Sequence, residues 1–370
     1  MKKKVLVAMS GGVDSAVTAL LLQQQGYEVV GVTCQIWLND ICNVESSKSC
    51  CGNEAIDDAR ATANLLGIKH YVFNYRDLFK DKVIDNFCNE YLAGNTPNPC
   101  MDCNLYIRSI DLLDKAIAMG FYYLATGHYV INEYDEAINE YVLRKGIDQT
   151  KDQSYFLYQL NQEKLKHLLF PLGKMNKSEV REIANKNNIP VANKKESQDI
   201  CFVPDGNYGK FIDEYRLHSG EPALIYHKNG KYLGKGKPIY YYTIGQRRGI
   251  VVAYGTPVYV IKILNSLNKV IVGDAKDIYN YGLIANSDFY ISNKKIEDGT
   301  EVLVKVRYRS KPTKAIYSKV DEGFKIVFIE PTSSVTTGQS AVIYNSGNPD
   351  VVLGGGRITK VLEEDSRENQ

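Results

Sequence analysis

The stretch Ser10–Ser15, SGGVDS, follows directly on the apolar run Val5–Met9 and leads into a helical pattern from about Asp14 to Gln25. An uninterrupted apolar run of that length marks a strand buried on both faces of a parallel sheet. Two glycines at the strand-to-helix turn let the backbone fold tightly and approach a ligand. The helix start behind them offers unpaired N–H groups and the positive end of a dipole. Ser10 and Ser15 add hydroxyl donors, and Asp14 adds a carboxylate able to hold Mg2+ against phosphate oxygens. The loop reads as an anion cradle. It contains no lysine, which excludes the GxxxxGK[ST] phosphate loop, and no GxGxxG, which argues against dinucleotide binding. A glycine turn with a Ser/Asp cap would explain two glycines alone; the whole hexapeptide, placed after the first buried strand, favours the cradle.

Strand and helix signals alternate outward from this loop. Glu28–Thr33 reads as a strand, Glu54–Leu66 as a helix closed by Gly67, and Lys69–Asn74 as the next strand. Helices over 80–92 and 105–119 precede a strand at Tyr122–Thr126, and Asn176–Asn188 reads as the last helix of the unit. This order predicts an α/β domain with a doubly wound parallel sheet. After about residue 205 the texture changes to short strands broken by Gly, Pro and Asn turns, and nothing from Leu224 to Lys360 reads as a long helix. The expected layout is an α/β domain at 1–205, a small β-rich linking domain at 206–278 and a C-terminal β-barrel or sandwich at 279–370.

Bulk composition narrows the function classes. The chain has 370 residues, 44% hydrophobic and 24% charged, and its apolar runs are strand-sized, so no membrane association is expected. The basic start MKKKVLVAMS has too short an apolar core for a secretion signal. A cytosolic protein is expected, with its eight cysteines (34, 42, 50, 51, 88, 100, 103 and 201) mostly reduced. That favours catalysis, metal binding or packing over a disulfide framework. The formal net charge of +2 does not point to nucleic acid, so any RNA site must come from local clusters.

The cysteines carry the next decision. Cys100 and Cys103 sit in Asn98–Asn104, NPCMDCN, and Cys201 stands far away in SQDIC. A four-cysteine zinc site is poorly supported, because Cys50 and Cys51 are adjacent and Cys201 is alone. Cys100, Cys103 and Cys201 could instead hold an iron–sulfur cluster with one open iron position. Packing accounts for Cys42 and Cys88. Sulfur transfer is the other chemistry available. One cysteine carries an outer sulfur as a persulfide, and a second thiol releases it by attacking the inner sulfur. Cys201 and one of Cys100 or Cys103 meet that need on paper.

The hexapeptide resembles the SGGxDS signature of the PP-loop ATP pyrophosphatases, which cleave ATP between the α and β phosphates and adenylate an oxygen that a nucleophile then displaces. The motifs TPNPCxxCN at 96–104, ATGHY at 125–129, KDQSYFL at 151–157, ESQDICFVPDG at 196–206, TIGQRRG at 243–249 and VRYR at 306–309 follow in order. Together they resemble the tRNA-specific 2-thiouridylase family over essentially the whole chain. The resemblance implies ATP and Mg2+ as cofactors, with tRNA and a sulfur-donor protein as partners of a monomer. It implies ATP binding by Ala8, Met9, Ser10, Gly11, Gly12, Val13, Asp14 and Ser15, with Cys34 and Gly127 lining the nucleotide pocket. Asn98, Pro99 and Cys100 would touch the target base. Cys103 would be the nucleophile and Cys201 the persulfide carrier, the two forming a transient disulfide. Lys151, Asp152, Gln153, Arg307 and Tyr308 would contact tRNA. Three departures stand out: Cys100 where some members have Asp, Leu105 where a basic residue is common, and Arg108-Ser109 where Lys-Phe is usual.

Local charge adds an expectation. Lys305, Arg307, Arg309 and Lys311 alternate as on one strand face, opposite Val304, Val306 and Tyr308. Lys235, Lys237 and Gln246-Arg247-Arg248 add positive charge, and Lys151 to Tyr155 reads as a polar segment that orders on tRNA. Two other functions stay open: an amide-forming PP-loop synthetase, and a non-catalytic tRNA-binding or sulfur-carrier protein.

Overall fold

The computed structural model describes residues 3–36, 53–195, 200–203, 205–217 and 219–363. Cys42, Cys50 and Cys51, and residues 196–199 and 204 of the ESQDICFVPDG stretch, lie outside the described residues. The N-terminal sheet is built from β1 (Lys4–Ala8), β2 (Glu28–Gln35), β3 (Lys69–Asn74) and β4 (Tyr123–Ala125). A hairpin of β5 (Val130–Asp135) and β6 (Glu140–Lys145) follows, and then the short β7 (Leu168–Leu169). The sheet order is β3-β2-β1-β4-β7, with every pairing parallel. The strand order reverses between β1 and β4, and such a switch opens a crevice at the carboxyl ends of the two strands. SGGVDS leaves β1 there, and ATGHY leaves β4 beside it.

Sequence dictates these elements through burial. Val5, Leu6 and Val7 are wholly buried, as a central parallel strand requires. The helix Val13–Gln24 buries Val13, Ala16, Val17 and Leu20 against Val180 and Ala184 of the helix Lys177–Lys186. Two longer helical runs, 76–92 and 99–118, each contain a π-helical stretch, at Lys80–Asp85 and Cys103–Leu112. The second run starts earlier than expected. Asn98 caps it by accepting from the Cys100 amide at 3.2 Å, and Pro99 fills its first turn.

The middle part begins with a helix, Tyr208–Arg216, that strand-like texture had hidden. Its sheet joins β8 (Leu224–His227), β9 (Tyr232–Lys235), β10 (Tyr259–Leu264) and β11 (Lys269–Gly273) around Ile225, Tyr242, Val260 and Val272. The C-terminal part is a closed barrel of β12 (Tyr279–Tyr290), β13 (Glu301–Lys305), β14 (Thr313–Val320), β15 (Gly323–Ser333), β16 (Ser340–Asn345) and β17 (Val352–Leu362). Full closure leaves no free sheet edge. One apolar core runs through all three parts, taking in Phe87 and Phe202 from the first, Phe211 and Tyr240 from the second, and Val342 and Tyr344 from the barrel. Among the described residues no helix is long and apolar enough to cross a membrane.

Two expectations are corrected here. Residues 304–311 are not one alternating strand: β13 ends at Lys305, and the chain turns, with Ser310 N–H donating to Arg307 O at 3.1 Å. Lys305 is therefore buried, its ammonium over the rings of Tyr155 and Tyr308. The Lys151–Tyr155 segment is also more buried than its polar sequence suggests. Asp152 accepts from Ser154 N–H and Oγ at 3.0 Å each, and Tyr155 is wholly buried, its hydroxyl donating to Ser340 O at 3.0 Å. Aromatic burial against the barrel outweighs the polar look of the segment.

Candidate active site at the junction of the three domains

The phosphate cradle has the geometry its sequence requires. Gly11 adopts φ +69°, and a Cβ there would lie 2.3 Å from Ala55 O, so a side chain is excluded on two counts. Ser15 Oγ donates to Gly12 O at 3.0 Å and accepts from Ser10 N–H at 3.1 Å, which folds the loop back on the helix start. Gly127 closes the other side: a Cβ would stand 2.9 Å from the Asp14 carbonyl carbon. Ala8, Met9 and Val13 frame the loop, and Cys34 lies at the carboxyl end of the adjacent β2. Burial pushes the Cys34 thiol up to about 12, with Arg108 and Lys115 opposing and Cys103 adding. A thiol so placed stays protonated and packs as an apolar group.

Asp14 is held by two partners the sequence reading did not single out. The Tyr129 hydroxyl donates to it at 2.7 Å, and Lys177 Nζ donates to its two oxygens at 2.7 and 2.8 Å. Lys177 is the first residue of its helix, where the dipole disfavours a cation. That misfit was the one local signal of a function for it. A lysine absent from the cradle's own sequence thus reaches the cradle through the fold.

A second site lies where the three parts of the chain meet. A cleft of about 240 Å³ is lined by Tyr91, Asn98, Pro99, Ile200, Thr243 and Gln339, drawing on all three parts of the chain. Tyr91 stacks on Tyr208, the ring centroids 5.9 Å apart and the planes 26° from parallel. Cys100 is exposed beside Pro99; Cys103, one turn on, and Cys201, next to Ile200, are half-buried against the same core. Among the described residues no group of three or more His, Cys, Asp and Glu gathers to hold a metal ion. Cys100, Cys103 and Cys201 therefore form no ready cluster site here. Asp102 does not stand in for the carboxylate missing at position 100: it is buried, accepting from Asn86 Nδ2 at 2.8 Å and pairing with Arg357 at 3.0 Å.

A hydrogen-bonded chain joins the two sites. Asn104 Nδ2 donates to Cys100 O at 3.0 Å, Arg108 reaches Asn104 Oδ1 at 3.5 Å, and Arg108 donates to His128 Nε2 at 3.3 Å. A guanidinium only donates, so Nε2 accepts; Nδ1 then carries the proton and donates to Thr126 Oγ1 at 2.7 Å. Burial, helped by the Arg108 charge, pulls the His128 pKa down to about 3, so the ring is neutral at pH 7.

The remaining expected residues fall into two groups. Asp152 and Gln153 face inward; Gln153 Oε1 accepts from Tyr129 N–H at 3.1 Å and ties its turn to the ATGHY loop. Lys151 is half-buried at the start of that turn. Arg307 donates to Ile244 O at 2.8 Å and to Thr336 Oγ1, joining the middle domain to the barrel. Its guanidinium has no carboxylate partner among the described residues, and burial lowers its pKa. Tyr308 packs on Phe156 with centroids 4.5 Å apart. Gln339, Tyr91 and Tyr208 complete the cleft, and each comes from a segment with no motif to announce it.

Family comparisons agree with this construction. The model described as tRNA methyl transferase HUP domain matches residues 3–205, the PRC-barrel domain model 209–274, and the aminomethyltransferase β-barrel model 281–358. Whole-length relatives carry a different activity in their names. A tRNA-specific 2-thiouridylase of Caldanaerobacter subterraneus is 47% identical over 96% of this chain and 98% of its own. Those of Carboxydothermus hydrogenoformans and Caldicellulosiruptor saccharolyticus are each 48% identical over 98% of this chain, and over 99% and 100% of their own. With a PP-loop sheet, a linking domain and a closed barrel matched end to end by these relatives, the chain belongs to the tRNA-specific 2-thiouridylase family.

Proposed function

We propose that the protein uses ATP to replace the C2 oxygen of the wobble uridine of tRNA with sulfur. The observation that carries this reading is the three-domain cleft. Cys103 and Cys201 pack half-buried against the shared core, while Asn98, Pro99 and Ile200, chain neighbours of Cys100 and Cys201, line one opening large enough for a base. A base reaches it only by leaving its stack, and the Tyr91–Tyr208 pair offers a surface on which an extruded ring can stack. Domains dividing near 205 and 278 would then each contribute one wall.

In the first half-reaction the C2 oxygen attacks the α-phosphorus of ATP, the bond to the β-phosphate breaks, and pyrophosphate leaves. The Ser10–Ser15 amides and hydroxyls orient the phosphates, and Lys177 adds positive charge. Asp14 would hold Mg2+ only by giving up an oxygen that Lys177 Nζ now occupies; bound with the substrate phosphates, the ion would screen their negative charge. In the second half, Cys201 carries an outer sulfur received from a donor protein. Either the Cys103 thiolate attacks the inner sulfur and releases hydrosulfide beside C2, or the terminal persulfide sulfur attacks C2 and Cys103 then attacks the inner sulfur; both routes leave a Cys103–Cys201 disulfide. The sulfur adds to C2, AMP departs with the former C2 oxygen, and a thiol reductant resets the pair. Cys100 would meet the base from the rim of the pocket, beside Pro99, and no step requires a cluster. Arg307, Tyr308 and the Lys151–Gln153 turn support the tRNA face of a monomeric cytosolic enzyme. Arg307 brings a buried charge with no carboxylate to balance it among the described residues, which favours a phosphate nearby.

Pyrophosphate exchange into ATP, with and without unmodified tRNA, tests the reading. Exchange that depends on tRNA supports it. Exchange that proceeds without tRNA points to a small-molecule synthetase, and no exchange points to a binding or carrier protein.

A further inference from the structure

The barrel reaches into the N-terminal domain at one place that the sulfur chemistry leaves unexplained. Arg357 on β17 places Nη2 3.0 Å from Asp102 Oδ1 and Nη1 3.4 Å from Glu90 Oε1. Each carboxylate has a second duty. Glu90 Oε2 accepts from Asn95 Nδ2 at 2.9 Å, and Asp102 Oδ2 accepts from Asn86 Nδ2 at 2.8 Å. Asn95 and Asp102 bracket the turn that carries Asn98, Pro99 and Cys100, and Asp102 is the residue before Cys103. One guanidinium thus grips both ends of that turn. The loop before β16 holds it a third time: Thr96 N–H donates to Thr337 O at 2.9 Å, and Gln339 Nε2 donates to Thr96 O at 2.8 Å.

Stability alone is a weak reason for this arrangement. Asp102 is 4% exposed, and withdrawing its charge from water costs about as much as the ion pair returns. A planar two-pronged donor does something an apolar contact cannot: it fixes distance and angle at two acceptors at once. Cys103 also opens the π-helical stretch Cys103–Leu112, so the helix there departs from the regular i→i+4 pattern that would otherwise fix its thiol.

We propose that Arg357 is a positioning residue for sulfur transfer: through Asp102 and Glu90 the barrel sets the turn and the start of the Cys103 helix, so that the thiol meets its target. The proposal rests on the sulfur-transfer reading above and adds a function for the barrel beyond holding tRNA. Arg357 touches neither ATP nor base in this scheme, but the turn it grips also lines the base pocket, so adenylation should fall less than the thiol-dependent half.

The test uses full-length enzyme loaded with polysulfide and desalted, with unmodified tRNA, ATP and magnesium. Wild type is compared with Arg357→Lys and with the double variant Arg357→Met/Asp102→Asn. The lysine keeps the charge but reaches one acceptor at a time; the double variant removes the buried Asp102 charge together with its partner and leaves the part-exposed Glu90 carboxylate its Asn95 hydrogen bond. Three quantities are read: tRNA-dependent pyrophosphate exchange, 2-thiouridine formed in a single turnover, and the Tm. Thiolation should fall about tenfold further than exchange for the lysine variant and about 100-fold further for the double variant, the scale expected for an ångström-sized misplacement of the thiol. Thiolation that holds in both variants, or that falls only in step with exchange, overturns the proposal. Loss of folded protein in both marks a structural brace and overturns it equally. Wild type that exchanges pyrophosphate but forms no 2-thiouridine refutes the sulfur-transfer reading itself, a result distinct from the other two.

Discussion

Acidification offers a quantitative test of the link between the nucleotide loop and the cysteine helix. His128 is buried, accepts a hydrogen bond from Arg108, and has its pKa pulled down to about 3. The unfolded chain carries an ordinary histidine that protonates below about pH 6.5. Between those two values the unfolded state binds one proton more than the native state, so native stability falls as the pH falls. The slope is about 1.4 kcal/mol per pH unit, which makes the loss between pH 6.5 and 5.0 about 2 kcal/mol. His128→Gln removes the titration while its amide can still accept from Arg108 and donate to Thr126. Carboxylates titrate in both proteins and cancel in the difference. Urea unfolding at pH 7.0, 6.0 and 5.0 should show wild type losing about 2 kcal/mol more than the variant on the way down. Parallel pH profiles would refute the assignment of a neutral, donor-bound ring.

Other outcomes follow from the same geometry. Lys177→Met removes the ammonium that holds Asp14, and tRNA-dependent pyrophosphate exchange should fall at least about tenfold, with partial recovery in Lys177→Arg; unchanged exchange excludes Lys177 from the nucleotide site. Gly127→Ala puts a methyl 2.9 Å from the Asp14 carbonyl carbon and 3.0 Å from Ser15 N, so the loop backbone must shift and ATP affinity measured by calorimetry should drop, with some loss of Tm; wild-type affinity counts against the cradle's second wall. tRNA binding should weaken as salt rises, and Arg307→Met should reduce the slope of log K against log salt by about one, whereas Lys305→Met, buried over Tyr155 and Tyr308, should leave it unchanged. Equal slopes for Arg307→Met and wild type remove the phosphate contact from the account.

Local signals that depend on one segment were readable in the chain. A buried strand, a glycine turn and a helix start are written into residues 5–25, and the parallel sheet follows from the alternation behind them. Asn98 and Pro99 also announce a helix start, although the expected helix began six residues later. What was not readable depends on a distant partner. Lys305 and Arg307 look like one basic strand face until the turn at Arg307–Ser310 and the aromatic rings of 155 and 308 are in place. Asp102 looks like a spare acid beside the cysteines until Arg357, 255 residues away, claims it. Lys177 lies 163 residues from Asp14, and Gln339 243 residues from Thr96; no local pattern encodes either meeting. The site's motifs were therefore legible as a set of parts, and their grouping into one cleft was not.

The central claim is that Cys103 and Cys201 do the sulfur chemistry at this cleft. Nucleoside mass spectrometry tests it most directly, on tRNA taken through one turnover by polysulfide-loaded, desalted enzyme with ATP and magnesium in the absence of oxygen. Wild type should give 2-thiouridine with AMP and pyrophosphate, Cys100→Ala should still give it, and Cys103→Ala and Cys201→Ala should give none. A dead Cys100→Ala together with iron in the wild-type protein, or 2-thiouridine at the wild-type level from Cys103→Ala, would contradict the account.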